Sequence, residues 1–380
     1  MGVTPVNLYG PPDPQKSNLT FGLELEFAIA ISLNPSGSID PHPSDPRRIT
    51  GFVTGPHDSW VANLHEHVAS TLFSVGIPAI AVRSIGEAFP TGHENSWVVK
   101  HDNTIKAPSL EGYHFLPIEI NSPPYYYGHE SAFHEIGVVC QVLRDTYRIS
   151  CNRSCGVQVH VGNGMEGFAF EAVQNLLATI WTFEEQIETI HPKHRIDNEG
   201  MCPSFKRHSE LSRSHSRNGK LDIRAGLEDI LNQRGKSVQV FAHMTEPRTA
   251  ISQKGGTRLA YHLGDVSGER PITCLYKRTV EFRQHKDSLE LEELELWIKF
   301  CVQLMMFADS IDKTKLANFL RAHVGTSVEE CPLAIVLEKL GMPWLAYCYP
   351  KKIAVDREMA NEEEVLCSIE LGMDKMLTPL

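Results

Sequence analysis

The sequence lacks three features, each of which is typical of one class of protein. No apolar run approaches the length of a membrane-spanning helix, which argues against an integral membrane protein. The 36 Lys and Arg residues are outnumbered by 47 Asp and Glu, and the net charge of −11 argues against non-specific nucleic-acid binding. The nine cysteines lack the paired spacing of metal fingers, and their odd number is typical of free thiols in a reducing compartment. We therefore expect a soluble, cytoplasmic protein that binds neither nucleic acid nor membrane.

The remaining sequence alternates between helical and strand-like patterns. Apolar stripes with helical spacing predict long helices, and shorter segments with a period of two predict strands. There is no internal repeat and no clean linker, so the pattern predicts one α+β domain. We expect that domain at 18–322, with a mobile loop insertion at 31–57 that is rich in Pro, Ser, Gly and Asp. Residues 323–380 are predicted to form a C-terminal helical extension of it.

Four of the predicted strands share one design. Side chains alternate between the two faces of a strand, so Glu24 and Glu26 of "GLELEF" lie on one face and Leu23, Leu25 and Phe27 on the other. The strands "LPIEIN", "GVQVHVG" and "KRTVEFRQH" repeat this arrangement, with one apolar face each. Their polar faces carry, in order, Glu119 with Asn121; Gln158 with His160; and Lys277, Thr279, Glu281, Arg283 and His285.

These polar faces predict a metal site. If the four strands are neighbours in one sheet, carboxylates converge there, and desolvated like charges repel unless cations lie among them. Oxygen-rich ligand sets suit Mg²⁺ or Mn²⁺. An antiparallel sheet with one solvated face shows the same alternation, and that interpretation stays open for any single strand. The side chains of metal-ligand type on these faces are Glu24, Glu26, Glu119, Gln158, His160 and Glu281.

The order of the motifs resembles the amidoligases, which are ATP-dependent carboxylate–amine ligases of the glutamine synthetase and glutamate–cysteine ligase superfamily. The resemblance extends over about residues 20–310. "GLELEF" resembles the Gly-x-Glu-x-Glu strand, "SWVVKHDNTI" the block with Trp97 and Asp102, and "IEINSPPY" the Glu-x-x-Ser-Pro block. "SCGVQVHVG" is similar to the Cys-Gly-x-His-x-His strand, and "TVEFRQHKDSL" to the Glu-Phe-Arg-x-His strand. The chain departs from the family pattern at Gln158, where His is usual, and at His262, where Asn is expected.

The resemblance implies a curved antiparallel β-sheet whose polar concave face holds Mg·ATP and whose apolar face packs against helices. It implies that 18–322 is the catalytic domain and that Arg283 contacts the phosphates. The metal ligands expected from it are Glu24, Glu26, Glu119, Gln158, His160 and Glu281. The loop "QKGGTR" is a further candidate for phosphate contact, although short matches of this kind are common in ordinary surface loops. The expected catalytic residues are Arg283, Glu281 and His160. The expected nucleotide contacts are Arg283, His160, Lys277, His285, Lys254 and Arg258.

The implied reaction joins a small-molecule or peptide carboxylate to an amine. The carboxylate attacks the γ-phosphate of ATP to give an acyl phosphate and ADP, and the amine then displaces phosphate. Two alternatives remain open. One is a metal-dependent amide hydrolase, in which the same carboxylates activate water. The other is a catalytically weakened nucleotide- or metabolite-binding relative, which the departures at Gln158 and His262 motivate.

Overall fold

The structure is a computed structural model, and it describes most of the predicted domain. Much of the predicted loop insertion at 31–57 lies outside the described residues, as do Lys254, Lys277 and 357–380. The described residues are 18–32, 40, 42–47, 50–51, 57–82, 95–110, 113–164, 166–235, 237–247, 258–263 and 278–356.

Ten strands of the described part of the chain form one open sheet, which is mostly antiparallel. Its main path runs β11-β12-β8-β1-β5-β4-β3, while β2, β6 and β7 each add to β1, and β9 pairs with β10 in a separate hairpin. Only the β1–β2 and β3–β4 pairs among these are parallel. The strands are β1 (Thr20–Ser32), β2 (Thr50–Gly51), β3 (Ala79–Ala81), β4 (Trp97–Lys100), β5 (His114–Asn121), β6 (Tyr125–Tyr126), β7 (Ile149–Ser150), β8 (Gly156–Gly162), β9 (Ser216–Arg217), β10 (Lys220–Leu221), β11 (Tyr261–His262) and β12 (Thr279–Lys286).

Helices lie between and after these strands in the described part of the chain, so the predicted α+β class is confirmed. The apolar stripe of the first helix is buried, with Leu64, Val68 and Leu72 all 0% exposed. No described helix combines the length and the apolar character that crossing a membrane requires. The helices are α1 (His57–Ser74), α2 (Glu130–Thr146), α3 (Phe170–Glu188), α4 (Phe205–His208), α5 (Glu210–Ser214), α6 (Ile223–Asn232), α7 (Gln239–Met244), α8 (Leu291–Ser310), α9 (Lys313–His323), α10 (Leu333–Lys339) and α11, which runs from 343 to the last described residue, 356.

The apolar faces of the strands pack against two of the long helices. The ring of Phe21 in β1 stacks on Phe133 of α2, with 5.7 Å between the ring centroids. Phe282 of β12 meets Trp297 of α8 edge to face at 6.2 Å. Because side chains on one face of a strand are fixed by this packing, those on the opposite face are held in register as well.

The described residues divide into two compact units. The larger contains 18–184 and 191–325, and the smaller contains 185–190 and 326–356. In the smaller unit Leu337, Leu345 and Tyr349 are buried, and Gln186 Nε2 donates a hydrogen bond to the carbonyl of Thr326 at 3.1 Å. The domain limits predicted at 322 and 323 stay a prediction.

Candidate functional site

Strand register brings the predicted polar residues together in the middle of the sheet. β1 lies between β8 and β5, and β12 extends the sheet beyond β8. Residues directly opposite each other on neighbouring strands have adjacent side chains. The opposed pairs are Glu24–Gln158, Glu24–Asn121, Glu26–Glu119, Gly22–His160, Glu281–His160, Glu281–His262 and Glu119–Lys100.

Three side chains in this region form a group that could hold a metal ion. One ligand atom each from Glu24, His160 and Glu281 lies within 4.8 Å of the others. His160 Nε2 is 2.9 Å from Glu24 Oε1, and its Nδ1 lies 3.1 Å from the hydroxyl oxygen of Thr279. With its proton on Nδ1 and donated to Thr279, the imidazole offers the Nε2 lone pair to a cation. Two carboxylates and one imidazole form a ligand set whose chemistry fits Mn²⁺ or Mg²⁺.

Two arginines border this group and balance its charge. Arg283 NH1 donates hydrogen bonds to Glu281 and to Gln158 Oε1, and Arg258 NH1 contacts Glu281 Oε2 at 3.0 Å. Burial would raise the pKa of Glu281, but the guanidinium groups of Arg283 and Arg258 help to hold that pKa below its usual value. Glu281 is therefore ionised next to two cations. The predicted repulsion between carboxylates is relieved in part by the protein's own positive side chains.

Glu26 and Glu119 form a second pair of carboxylates beside the group. Both oxygens of Glu26 accept hydrogen bonds: Oε1 from Gln158 Nε2, and Oε2 from the backbone N–H of Gly156 at 2.8 Å. Glu119 Oε1 lies 2.9 Å from Lys100 Nζ. Burial raises the pKa of Glu26 to about 7, and burial together with the Glu24 carboxylate raises the pKa of Glu119 well above its usual range. These two side chains therefore retain protons more readily than Glu281 does.

A β-bulge in β12 corrects the predicted face of His285. Phe282 is opposite Val159, but His285 is opposite Val157, so two β12 residues stand against Gln158 alone. An inserted residue reverses the alternation beyond it, and the predicted alignment of His285 with Glu281 and Arg283 is wrong for that reason. The His285 ring instead packs against Trp297, with 5.4 Å between the centroids.

The bulge is held by an arginine that sequence reasoning did not identify. The buried guanidinium of Arg195 donates to the carbonyls of both bulge residues, at 2.6 Å to Arg283 and 3.3 Å to Gln284, and to that of Cys155 at 3.4 Å. It thereby fixes the backbone from which the Arg283 side chain extends. Arg195 lies in a short 3₁₀ turn, Lys193–Arg195, within a polar stretch where no sequence pattern indicated a role.

Comparison with known families agrees with the motif order. A family model with the description "Putative amidoligase enzyme" matches residues 17–305. The chain belongs to this amidoligase family. The match indicates that the chain is an enzyme of the general ligase class. None of the curated proteins matches the chain.

Most of the side chains predicted for the site lie within one region of the sheet. Glu24, His160, Glu281, Arg283 and Arg258 contact one another, directly or through a shared partner. Gln158 links this group to Glu26, and Glu119 lies opposite Glu26. His262, the second departure from the family pattern, lies opposite Glu281 on β11. Two predicted nucleotide contacts, Lys254 and Lys277, lie outside the described residues.

Two residues of this region were absent from the predicted site although the sequence carried a signal for each. Asn121 is two residues beyond Glu119 on the same face, and its Nδ2 lies 3.3 Å from Glu24 Oε1. Lys100 ends the strand that begins with Trp97, and the register places it directly opposite Glu119. Alternation along β4 and β5 could have found both, once the pairing of these two strands was known.

Proposed function

We propose that this chain is an ATP- and divalent-cation-dependent ligase that joins a carboxylate to an amine through an acyl phosphate. The observation that carries the proposal is the juxtaposition of Glu24, His160 and Glu281 with the guanidinium groups of Arg283 and Arg258. A cation ligand set beside two arginines suits the transfer of a phosphoryl group, which depends on charge neutralisation and positioning more than on a protein nucleophile. The family match supports the ligase class independently.

Each group of side chains has a distinct part in this proposal. A divalent cation held by Glu24, His160 and Glu281 would neutralise phosphate charge when it is bound. Arg283 and Arg258 would donate hydrogen bonds to the oxygens of the γ-phosphate. The substrate carboxylate attacks the γ-phosphorus and ADP leaves. The amine then attacks the acyl carbon, phosphate leaves, and the amine loses a proton as the amide forms.

The direct test is ADP release by the full chain in a coupled assay, with pooled carboxylates and amines and with Mg²⁺ or Mn²⁺. We expect ADP release above background only when ATP, a carboxylate and an amine are all present. Glu281→Gln should abolish it, because the variant loses a cation ligand and the partner of both arginines. Glu292→Gln, which changes an exposed carboxylate at the start of α8, is the matched control and should behave like the wild type.

The outcomes separate the ligase from the two alternatives. Cleavage of amides without ATP would favour a metal-dependent hydrolase. Binding of ATP measured by calorimetry, without ADP release for any carboxylate–amine pair, would favour a weakened binding relative. An absence of both binding and turnover would contradict the proposed function.

A further inference from the structure

Exposed apolar side chains are concentrated in the smaller unit. Of the eight large apolar side chains that are exposed in the described part of the chain, four belong to this unit, although it contains far fewer residues than the larger one. They are Ile335 of α10 and Trp344, Tyr347 and Val355 of α11. A cluster of exposed apolar side chains commonly marks a surface on which another segment or molecule docks.

The three exposed side chains of α11 lie on one face of that helix. Trp344 and Tyr347 are three residues apart, and Val355 follows eight residues later, so the three fall within about 80° around the helix axis. Their exposed fractions are 46%, 63% and 54%. Lys351 lies between Tyr347 and Val355 on the same face, with its Nζ 3.8 Å from the centroid of the Tyr347 ring. We call this face the α11 stripe, and from Trp344 to Val355 it is about 17 Å long.

The chain continues directly from the stripe into a segment with a complementary sequence pattern. Residues 357–380 follow α11 and lie outside the described residues. Apolar residues at helical spacing in this segment predict one apolar helix face over 365–377, with Glu370 and Asp374 beyond its edge. The members of this face are Val365, Leu366, Ile369, Met373, Met376 and Leu377.

The length of this segment and its attachment to α11 favour it as the occupant of the stripe. A helix over 365–377 would be about 20 Å long, which is close to the length of the stripe. The preceding residues 357–364 span at most about 26 Å when extended, which is enough to reverse the chain and place that helix antiparallel to α11. Because the segment is tethered to the helix it would contact, its effective concentration there is high.

A second copy of the chain fits the stripe less well. A stable interface between two proteins usually buries about 1,200–2,000 Å². Three partly exposed apolar side chains on a single helix provide only a small part of that area, whereas they match the apolar face of one short helix.

We propose that residues 365–377 form an amphipathic helix that docks on the α11 stripe and covers Trp344, Tyr347 and Val355. Gly372 within this helix lowers its intrinsic stability by about 1 kcal/mol relative to alanine, so the helix depends on packing against the stripe. The interaction is independent of the proposed ligase activity.

The test is hydroxyl-radical footprinting of Trp344 and Tyr347 in the full chain, followed by mass spectrometry at a low and a high protein concentration. Ile369→Glu introduces a charge into the middle of the proposed apolar contact and should release the helix. Both rings should then be oxidised at least about threefold faster than in the wild type, because most of each ring becomes accessible. Ser368→Glu adds the same charge outside the apolar face, and this matched control should be oxidised at the wild-type rate.

Three results would overturn the inference. Equal oxidation rates in all three proteins would show that 365–377 does not cover the stripe. Protection of the wild type at the high concentration alone would assign the stripe to a second copy of the chain. Faster oxidation in both variants would show that the predicted apolar face does not make the contact. Circular dichroism of each variant identifies any change in oxidation that comes from unfolding.

Discussion

At the scale of single residues, Gln158 connects the two halves of the site because a carboxamide both donates and accepts. Its Nε2 donates to Glu26 and its Oε1 accepts from Arg283. A histidine, the usual residue of the family at this position, has two ring nitrogens at a fixed separation and could not make both contacts in the same way. The departure from the family pattern therefore has a structural counterpart in the link between Glu26 and Arg283.

We predict that Gln158→Met lowers the free energy of unfolding by about 1–3 kcal/mol, because methionine has a similar shape but removes the donor to Glu26 Oε1 and one of the two acceptors of Arg283 NH1. Urea denaturation measures the change. Gln141→Met, at an exposed position of α2, is the matched control and should change stability by no more than about 0.5 kcal/mol. Equal effects of the two substitutions would show that the Gln158 link does not contribute to stability.

Arg283 provides the second prediction at this scale. Arg283→Lys keeps a positive charge but cannot contact Gln158 and Glu281 simultaneously while presenting further N–H groups to a phosphate. We expect kcat/KM for ATP to fall by about 100- to 1000-fold, which is the usual consequence of removing a donor aligned with developing charge. Arg144→Lys affects the ion pair between Arg144 of α2 and Glu290, directly before α8, and should have little effect on turnover. Wild-type activity in Arg283→Lys would exclude the proposed phosphate contact.

At the scale of secondary-structure elements, alternation along single strands predicted most of the polar face. It predicted that Glu24 and Glu26 share one strand face and that Gln158 and His160 share another. The register confirms that these two strands are neighbours. Alternation failed at His285, because a bulge depends on contacts from outside the strand. Arg195, which contacts the bulge carbonyls, is about 90 residues away in the sequence, and no local pattern connects the two. Register and long-range polar contacts are set by tertiary packing, so they were beyond a strand-by-strand prediction.

The pairing of β8 with β12 should be sensitive to Gly156. A Cβ atom at this position would lie 2.5 Å from Arg195 NH2 and 3.1 Å from the carbonyl of His285. Arg195 is held by three carbonyls and cannot easily move, so Gly156→Ala should lower the free energy of unfolding by about 1–3 kcal/mol. Gly22→Ala is the matched control, since its Cβ would meet nothing nearer than Ser122 Oγ at 3.8 Å.

Thermal unfolding of both variants tests this account of the bulge. We expect a clearly lower midpoint for Gly156→Ala and a midpoint near that of the wild type for Gly22→Ala. If Gly156→Ala is as stable as the wild type, the Arg195 side chain can be displaced, and it is not what fixes the β12 backbone.

At the scale of the whole molecule, the buried acids link stability to pH. Asp287, directly after β12, is 9% exposed, and burial raises its pKa to about 8 from an ordinary value of 3.8. Between these two values the native state binds a proton that the unfolded chain has released. The free energy of unfolding therefore decreases as pH rises through this window, by at most about 1.4 kcal/mol per pH unit for one proton. Glu26, with a pKa of about 7, acts in the same direction.

We predict that Asp287→Asn flattens this dependence, because asparagine has a similar shape and does not ionise. The difference in free energy of unfolding, variant minus wild type, should increase steadily from pH 5 to pH 8. Only the wild type has a carboxyl group at position 287 that releases its proton when the chain unfolds. Urea denaturation of both proteins at several pH values in this range measures the difference. A residual decline in the variant below pH 7 is expected from Glu26. Parallel curves for the two proteins would show that Asp287 has the same protonation state in the folded and unfolded chains, and the buried carboxyl would then be ionised next to Arg195 rather than protonated.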